Sequence, residues 1–98
     1  MTDEELVSRF AQLNRGMTDK DVFTLLGQPV NQLQGVLESN SGWGKQSAMW
    51  IQISPGEPYS QFVYLTKERE LVVWFALVNG TWKAALKLSV PKPLSVLT

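Results

Sequence analysis

The sequence predicts an α+β fold in which two N-terminal helices pack on one face of a four-stranded antiparallel meander sheet. Three observations carry that expectation. Residues 2–27 contain two helix specifications in succession, the hydrophobic period drops to two after residue 48, and Asn79-Gly80 separates two apolar runs. A chain of 98 residues with 44% hydrophobic content forms one domain, 1–98, with no room for two cores. At that size it buries roughly 60–65% of the surface its unfolded form exposes, enough for a two-layer fold without staples.

The first helix is expected over about 2–14. Thr2 caps it, and Glu5 stands at the capping-box position. Leu6, Phe10 and Leu13 recur at helical intervals with Val7 beside them, and Arg15 lies near the negative end of the helix dipole. Residues 15–29, RGMTDKDVFTLLGQP, specify the second helix over about 18–27. Thr18 is its cap and Asp21 the acid that reaches back to the cap's N–H. Met17 and Val22 are spaced as a hydrophobic staple, while Val22, Leu25 and Leu26 form the apolar face. Gly27 closes the helix by taking positive φ, and Pro29 blocks its continuation.

Residues 28–47 are rich in Gly, Ser, Asn and Gln and read as loop, with a short strand over 33–37 the one regular element they allow. The sheet is expected over about 48–89. Its first strand is AMWIQIS, alternating Met49, Ile51 and Ile53 against Trp50 and Gln52. The turn SPGEP, the strand YSQFVYLT, the charged turn KERE and the strand LVVWFALV follow. Asn79-Gly80 makes a type I′ turn into the last strand, TWKAALKLS, and the proline-containing tail 90–98 leaves the sheet. A regular ladder from that turn pairs Leu77 with Trp82, Phe75 with Ala84, Val73 with Leu86 and Leu71 with Leu88 toward the helices. It puts Ala76 with Lys83, Trp74 with Ala85 and Val72 with Lys87 on a solvated face.

Composition excludes several classes of function. Cysteine and histidine are both absent, which removes disulfides, thiol nucleophiles, thiolate or imidazole metal sites and the commonest general base. Formal net charge is zero at pI 6.2, so no strong field recruits nucleic acid or an anionic membrane. Residues 1–21 carry five acids against three bases and residues 67–98 five bases against two acids, an asymmetry that a solvated surface explains as well as a partner does. Asp3, Glu4, Glu5, Asp19 and Asp21 belong to first helical turns, where dipole and capping account for them. Ser41, Ser47 and Ser60 have no histidine to activate them, and SGWGK lacks the spacing of a phosphate-binding loop. The expectation is no catalytic residue, no metal and no cofactor.

RGMTDKDVFTLLGQP, followed by a loop, AMWIQI and FVYLTKERELVVWF, resembles the SmpA/OmlA (BamE-like) family of small outer-membrane lipoproteins. The resemblance covers roughly residues 15–78 and is most specific at Gly16-Met17-Thr18, Val22 and Leu26-Gly27-x-Pro29. It implies helices on one face of a small antiparallel sheet, similar also to the repeats of the β-lactamase inhibitor protein, and work done by binding other proteins. The polar, acidic start MTDEELVSRF is unlike a signal peptide, so the chain is cytoplasmic as written. A native upstream signal peptide and lipobox would instead make it a periplasmic, outer-membrane-associated protein.

The functional expectation is a non-enzymatic domain that binds another protein or itself, with no nucleic acid and no membrane insertion. Its expected surface is the solvated sheet face, with Val72 and Trp74 among Lys83 and Lys87, together with Trp43 in its Gly42/Gly44 loop. Trp43 reads also as a lid folded on the core, the commoner place for a lone tryptophan in a small domain. The alternative is a carrier of small apolar ligands, with a pocket between helices and sheet lined by Phe10, Phe23 and Trp82, residues that also suit a plain core.

Overall fold

A computed structural model describes residues 1–38 and 50–91. Helices α1 (Asp3–Ala11) and α2 (Asp19–Leu26) precede strands β1 (Asn31–Val36), β2 (Pro58–Leu65), β3 (Arg69–Val78) and β4 (Thr81–Pro91). The strands form one antiparallel sheet in the order β1-β2-β3-β4. The expected α+β meander is therefore the fold.

Both helices start as their sequences specify. Thr2 and Glu5 complete one capping box and Thr18 and Asp21 the other, each threonine Oγ accepting the third residue's N–H at 3.1 Å. Gly27 ends α2 at φ 83° and ψ −164°, an extended positive-φ conformation open almost only to glycine. Its carbonyl accepts the Tyr64 phenol at 2.9 Å, which ties the end of α2 to β2. Arg9 Nη1 donates to the Leu25 carbonyl, and the Lys67 N–H donates to Asp3 Oδ2, so α1 is held at both ends. Phe10, Leu13, Val22 and Leu26 then bury against Phe62, Tyr64, Leu71, Val73, Phe75 and Ala84. Asn79 and Gly80 take φ values of 50° and 81°, as a type I′ turn requires.

Beyond that turn the pairing departs from a regular ladder. Val78 faces Thr81, Leu77 faces Trp82 and Phe75 faces Ala84, but Trp74 then pairs with Leu86, Val73 with Lys87 and Val72 with Leu88. Ala85 is the extra residue of a β-bulge, and beyond it every β4 side chain is displaced by one position from the expected pairing. The expected Val73–Leu86, Leu71–Leu88, Trp74–Ala85 and Val72–Lys87 pairs are corrected accordingly. Lys87 is thereby turned toward the helices. Its ammonium donates to the carbonyls of Phe10 at 3.1 Å, Ala11 at 3.3 Å and Leu13 at 3.1 Å, and lies 5.4 Å from the Phe10 ring centroid. These carbonyls lie at and just beyond the end of α1, at the negative pole of its dipole, and that of Phe10 also accepts the Leu13 N–H at 3.1 Å.

The first strand also differs. NQLQGV, inside the segment read as loop, forms β1, while the described part of AMWIQIS lies outside the ladder. Trp50 and Ile51 donate their N–H groups to the Ala85 carbonyl at 2.7 and 3.4 Å, so this segment meets the β4 edge at the bulge. Trp50 packs on the helix-side core, whereas Ile51 and Ile53 pack on the opposite one. The alternation is real, but it serves a strap that wraps around an edge. At its far end Gly56 donates to the Leu37 carbonyl and Leu37 to that of Glu57. The tail is expected to leave the sheet from residue 90, but Val90 and Pro91 stay in β4, paired with Glu70 and Arg69. Residues 92–98 and the part of the 28–47 loop beyond Glu38 lie outside the described residues.

Replacing Lys87 by Met leaves its aliphatic stem but removes the ammonium that the Phe10, Ala11 and Leu13 carbonyls share, and is expected to cost about 1–3 kcal/mol in urea unfolding. Tyr64 carries a pH prediction. Burial holds its phenol above the ordinary 10.0, so the native state keeps a proton that the unfolded chain releases. Its contribution is whole below about pH 10 and is lost as pH rises beyond that value. Tyr64→Phe is expected to flatten the alkaline fall in stability while costing about 1 kcal/mol at neutral pH.

Candidate functional site

The sheet face away from the helices is not the bare surface its lysines suggested. Trp74 is 6% exposed, enclosed with Leu37, Ile53, Ala76, Ala85 and Leu86 in a second core. Tyr59 stacks on its ring at 4.7 Å between centroids, and its Nε1 donates to Gln61 Oε1 at 2.6 Å. The premise of an exposed Trp74 among lysines is therefore corrected: the bulge moves Lys87 to the other face and the strap covers the indole. Lys83 still pairs with Ala76, half-buried, and its backbone bridges Thr18 at the β4 edge. Val72 is half-buried between Val63 and Leu88, beside a partly open row made by Leu65 and Val90. Trp43 lies outside the described residues. The four expected site residues that are described, Val72, Trp74, Lys83 and Lys87, are not gathered into one surface.

The expected ligand pocket is not assembled either. Phe10 is buried in the helix-side core and Trp82 packs against it, while Phe23 turns outward with 46% of its surface exposed. Phe23 instead lines a groove of about 460 Å³ between α2 and β1, with Asp19, Lys20, Gln32, Gln34 and Phe62.

That groove runs beside the more consequential feature, the outer edge of β1. An edge strand directs alternate N–H and C=O groups away from its sheet, where they accept another strand unless they are blocked. The β4 edge is blocked at its centre, around Ala84 and Ala85. The Ala84 N–H donates to the Met17 carbonyl at 2.7 Å, the Ala84 carbonyl accepts from Gly16, and the Ala85 carbonyl accepts from the strap. Among the described residues nothing pairs with the outer edge of β1. The strand also lacks the usual guards, since NQLQGV contains no charge and no proline. Val30, Leu33 and Val36 are 62%, 48% and 60% exposed. Leu37 donates to the Glu57 carbonyl at 3.0 Å in the β1–β2 register, which sets the odd-numbered residues of β1 inward and leaves the main-chain groups of Gln32 and Gln34 pointing out.

Sequence reasoning allowed a short strand over 33–37, which overlaps β1, but did not single out its edge, because β1 lies at the margin of both cores and shows little apolar alternation. The detectable signal was the combination of a short uncharged run with turn residues on both sides.

The arrangement defines a class: an α+β domain with one sheet edge covered at its centre by its own chain and, among the described residues, the other left unpaired next to an aromatic-lined groove. No family model matches the chain, and comparison with characterised proteins and with solved structures gives no match either. Among the described residues no helix is long and apolar enough to cross a membrane.

Two substitutions separate core from surface. Trp74→Lys places an amine in an apolar enclosure and removes the indole, so it is expected to cost at least about 3 kcal/mol and to leave the chain largely unfolded by circular dichroism. Phe23→Ser at the exposed groove is expected to change the unfolding free energy by less than about 1 kcal/mol.

Proposed function

We propose that this protein is a non-enzymatic interaction domain that takes up an extended polypeptide segment along the outer edge of β1. The supporting observation is that edge itself: outward main-chain groups at Gln32 and Gln34, no charge or proline to repel a strand, and a groove beside it lined by Phe23. Strand addition draws its affinity from main-chain hydrogen bonds and its selectivity from side-chain pockets next to the edge. Both elements are available here. A groove with one acid and one base, Asp19 and Lys20, suits a polypeptide of little net charge better than a nucleic acid. The resemblance to SmpA/OmlA, whose members bind other proteins, supports the same class of function.

A photo-crosslinking amino acid at Gln34 tests the reading in cells of the native host, with the same probe at the exposed Ser8 of α1 as control. Adducts to polypeptide, whether to another protein or to a second copy, are expected at Gln34 and not at Ser8. Absence of adducts at Gln34, or equal yields at the two positions, would contradict it.

A further inference from the structure

The β1 edge contains a symmetry that bears on what it binds. Residues 30–36 read VNQLQGV, the same from either end except for Asn31 and Gly35. Two copies of a strand related by a two-fold axis must run antiparallel, and a palindrome then places each residue type opposite its own kind. We propose that the occupant of this edge is a second copy of the chain, paired about an axis through Leu33. This inference rests on the strand-addition reading and names its partner.

In that register Leu33 faces Leu33, Gln32 faces Gln34 of the second copy, and Val30 faces its Val36. The flanking valines are almost equally exposed, at 62% and 60%. The glutamines are the residues whose main-chain groups point outward, so each Gln32–Gln34 pair exchanges two hydrogen bonds across the interface. Matched side chains reinforce the pairing: amide on amide on the helix-bearing face and leucine on leucine on the other, with the valines at the two ends of the contact. The pairing strand carries no charge, and the adjoining groove contributes Asp19 and Lys20 together, so like-charge repulsion does not oppose the approach of two copies. The two four-stranded sheets join into one of eight strands, with both pairs of helices on the same face. A strand of this length spans about 20 Å. Such a contact is smaller than the roughly 800 Å² per partner of a standard interface, so the dimer forms in the micromolar range or above.

Sedimentation of the full chain from about 10 µM to about 1 mM, a range that brackets such affinities, tests this directly. The wild type is expected to shift from monomer to dimer. Leu33→Lys and Leu33→Glu are each expected to remain monomeric with unchanged circular dichroism, because Leu33 is a surface residue that would meet its own charge across the axis. An equimolar mixture of the two is expected to recover dimer, which follows only if residue 33 faces itself. Val36→Lys supplies a second disrupting variant should either Leu33 variant fold poorly.

A wild type that stays monomeric throughout, a lysine variant that dimerises alone, or a mixture without dimer would overturn the inference. If the wild type is monomeric yet Gln34 crosslinks to another protein, the second-copy inference falls and the strand-addition reading stands. If neither occurs, both fall.

Discussion

One extra residue in β4 determines how the two halves of this molecule meet. Without the bulge at Ala85, Lys87 would lie beside Trp74 on a surface and the end of α1 would lack its cation. With it, Phe75 and Val73 still face the helices on β3, but the β4 side chains beyond the bulge exchange faces. Ala85 and Leu86, consecutive in sequence, both enter the core around Trp74. Lys87 enters the opposite side and anchors the end of α1. The bulge also turns the Ala85 carbonyl to the edge, where Trp50 and Ile51 donate to it. Two cores, a helix terminus and a strap thus depend on one local irregularity.

The consequence for function is an asymmetry between the two sheet edges. At β4, residues 16–18 and the strap occupy main-chain groups that would otherwise invite another strand. At β1 neither chain cover nor charge does the same among the described residues. Proteins normally guard edges because an unguarded one aggregates. A near-palindromic, uncharged edge is compatible with a defined partner because it is complementary to itself in one register and can close as a dimer. Slipping that pairing by one residue would bring unlike side chains face to face and move the outward-pointing glutamines out of alignment.

The parts of the fold that were legible in the sequence are those set by local chemistry. Thr2 with Glu5, Thr18 with Asp21, the Gly27 stop and the Asn79-Gly80 turn each depend on a few neighbouring residues, and all form where their patterns place them. The bulge was not legible, because Ala84-Ala85-Leu86 contains neither glycine nor a polar residue to mark it. That omission propagated into the candidate site, sending Lys87 and Trp74 to one solvated face. AMWIQIS misled for a different reason. Its alternation reports residues buried on opposite sides, a condition that a segment crossing an edge meets as well as a strand does. β1 was obscured by exposure, since a strand at the margin of both cores has few apolar residues to display.

Residue-specific hydrogen exchange along β1 tests the central claim most directly, because it reads which main-chain groups are free and what protects them. In dilute protein the Gln32 and Gln34 amides are expected to exchange fast, while those of Leu33 and Gly35, bonded to β2, exchange slowly. As concentration rises through the association range, Gln32 and Gln34 should gain protection and the exposed Gly80 amide should not. Equal exchange at all four β1 positions in dilute protein, or fast exchange at Gln32 and Gln34 at every concentration, would contradict a free edge completed by a second copy.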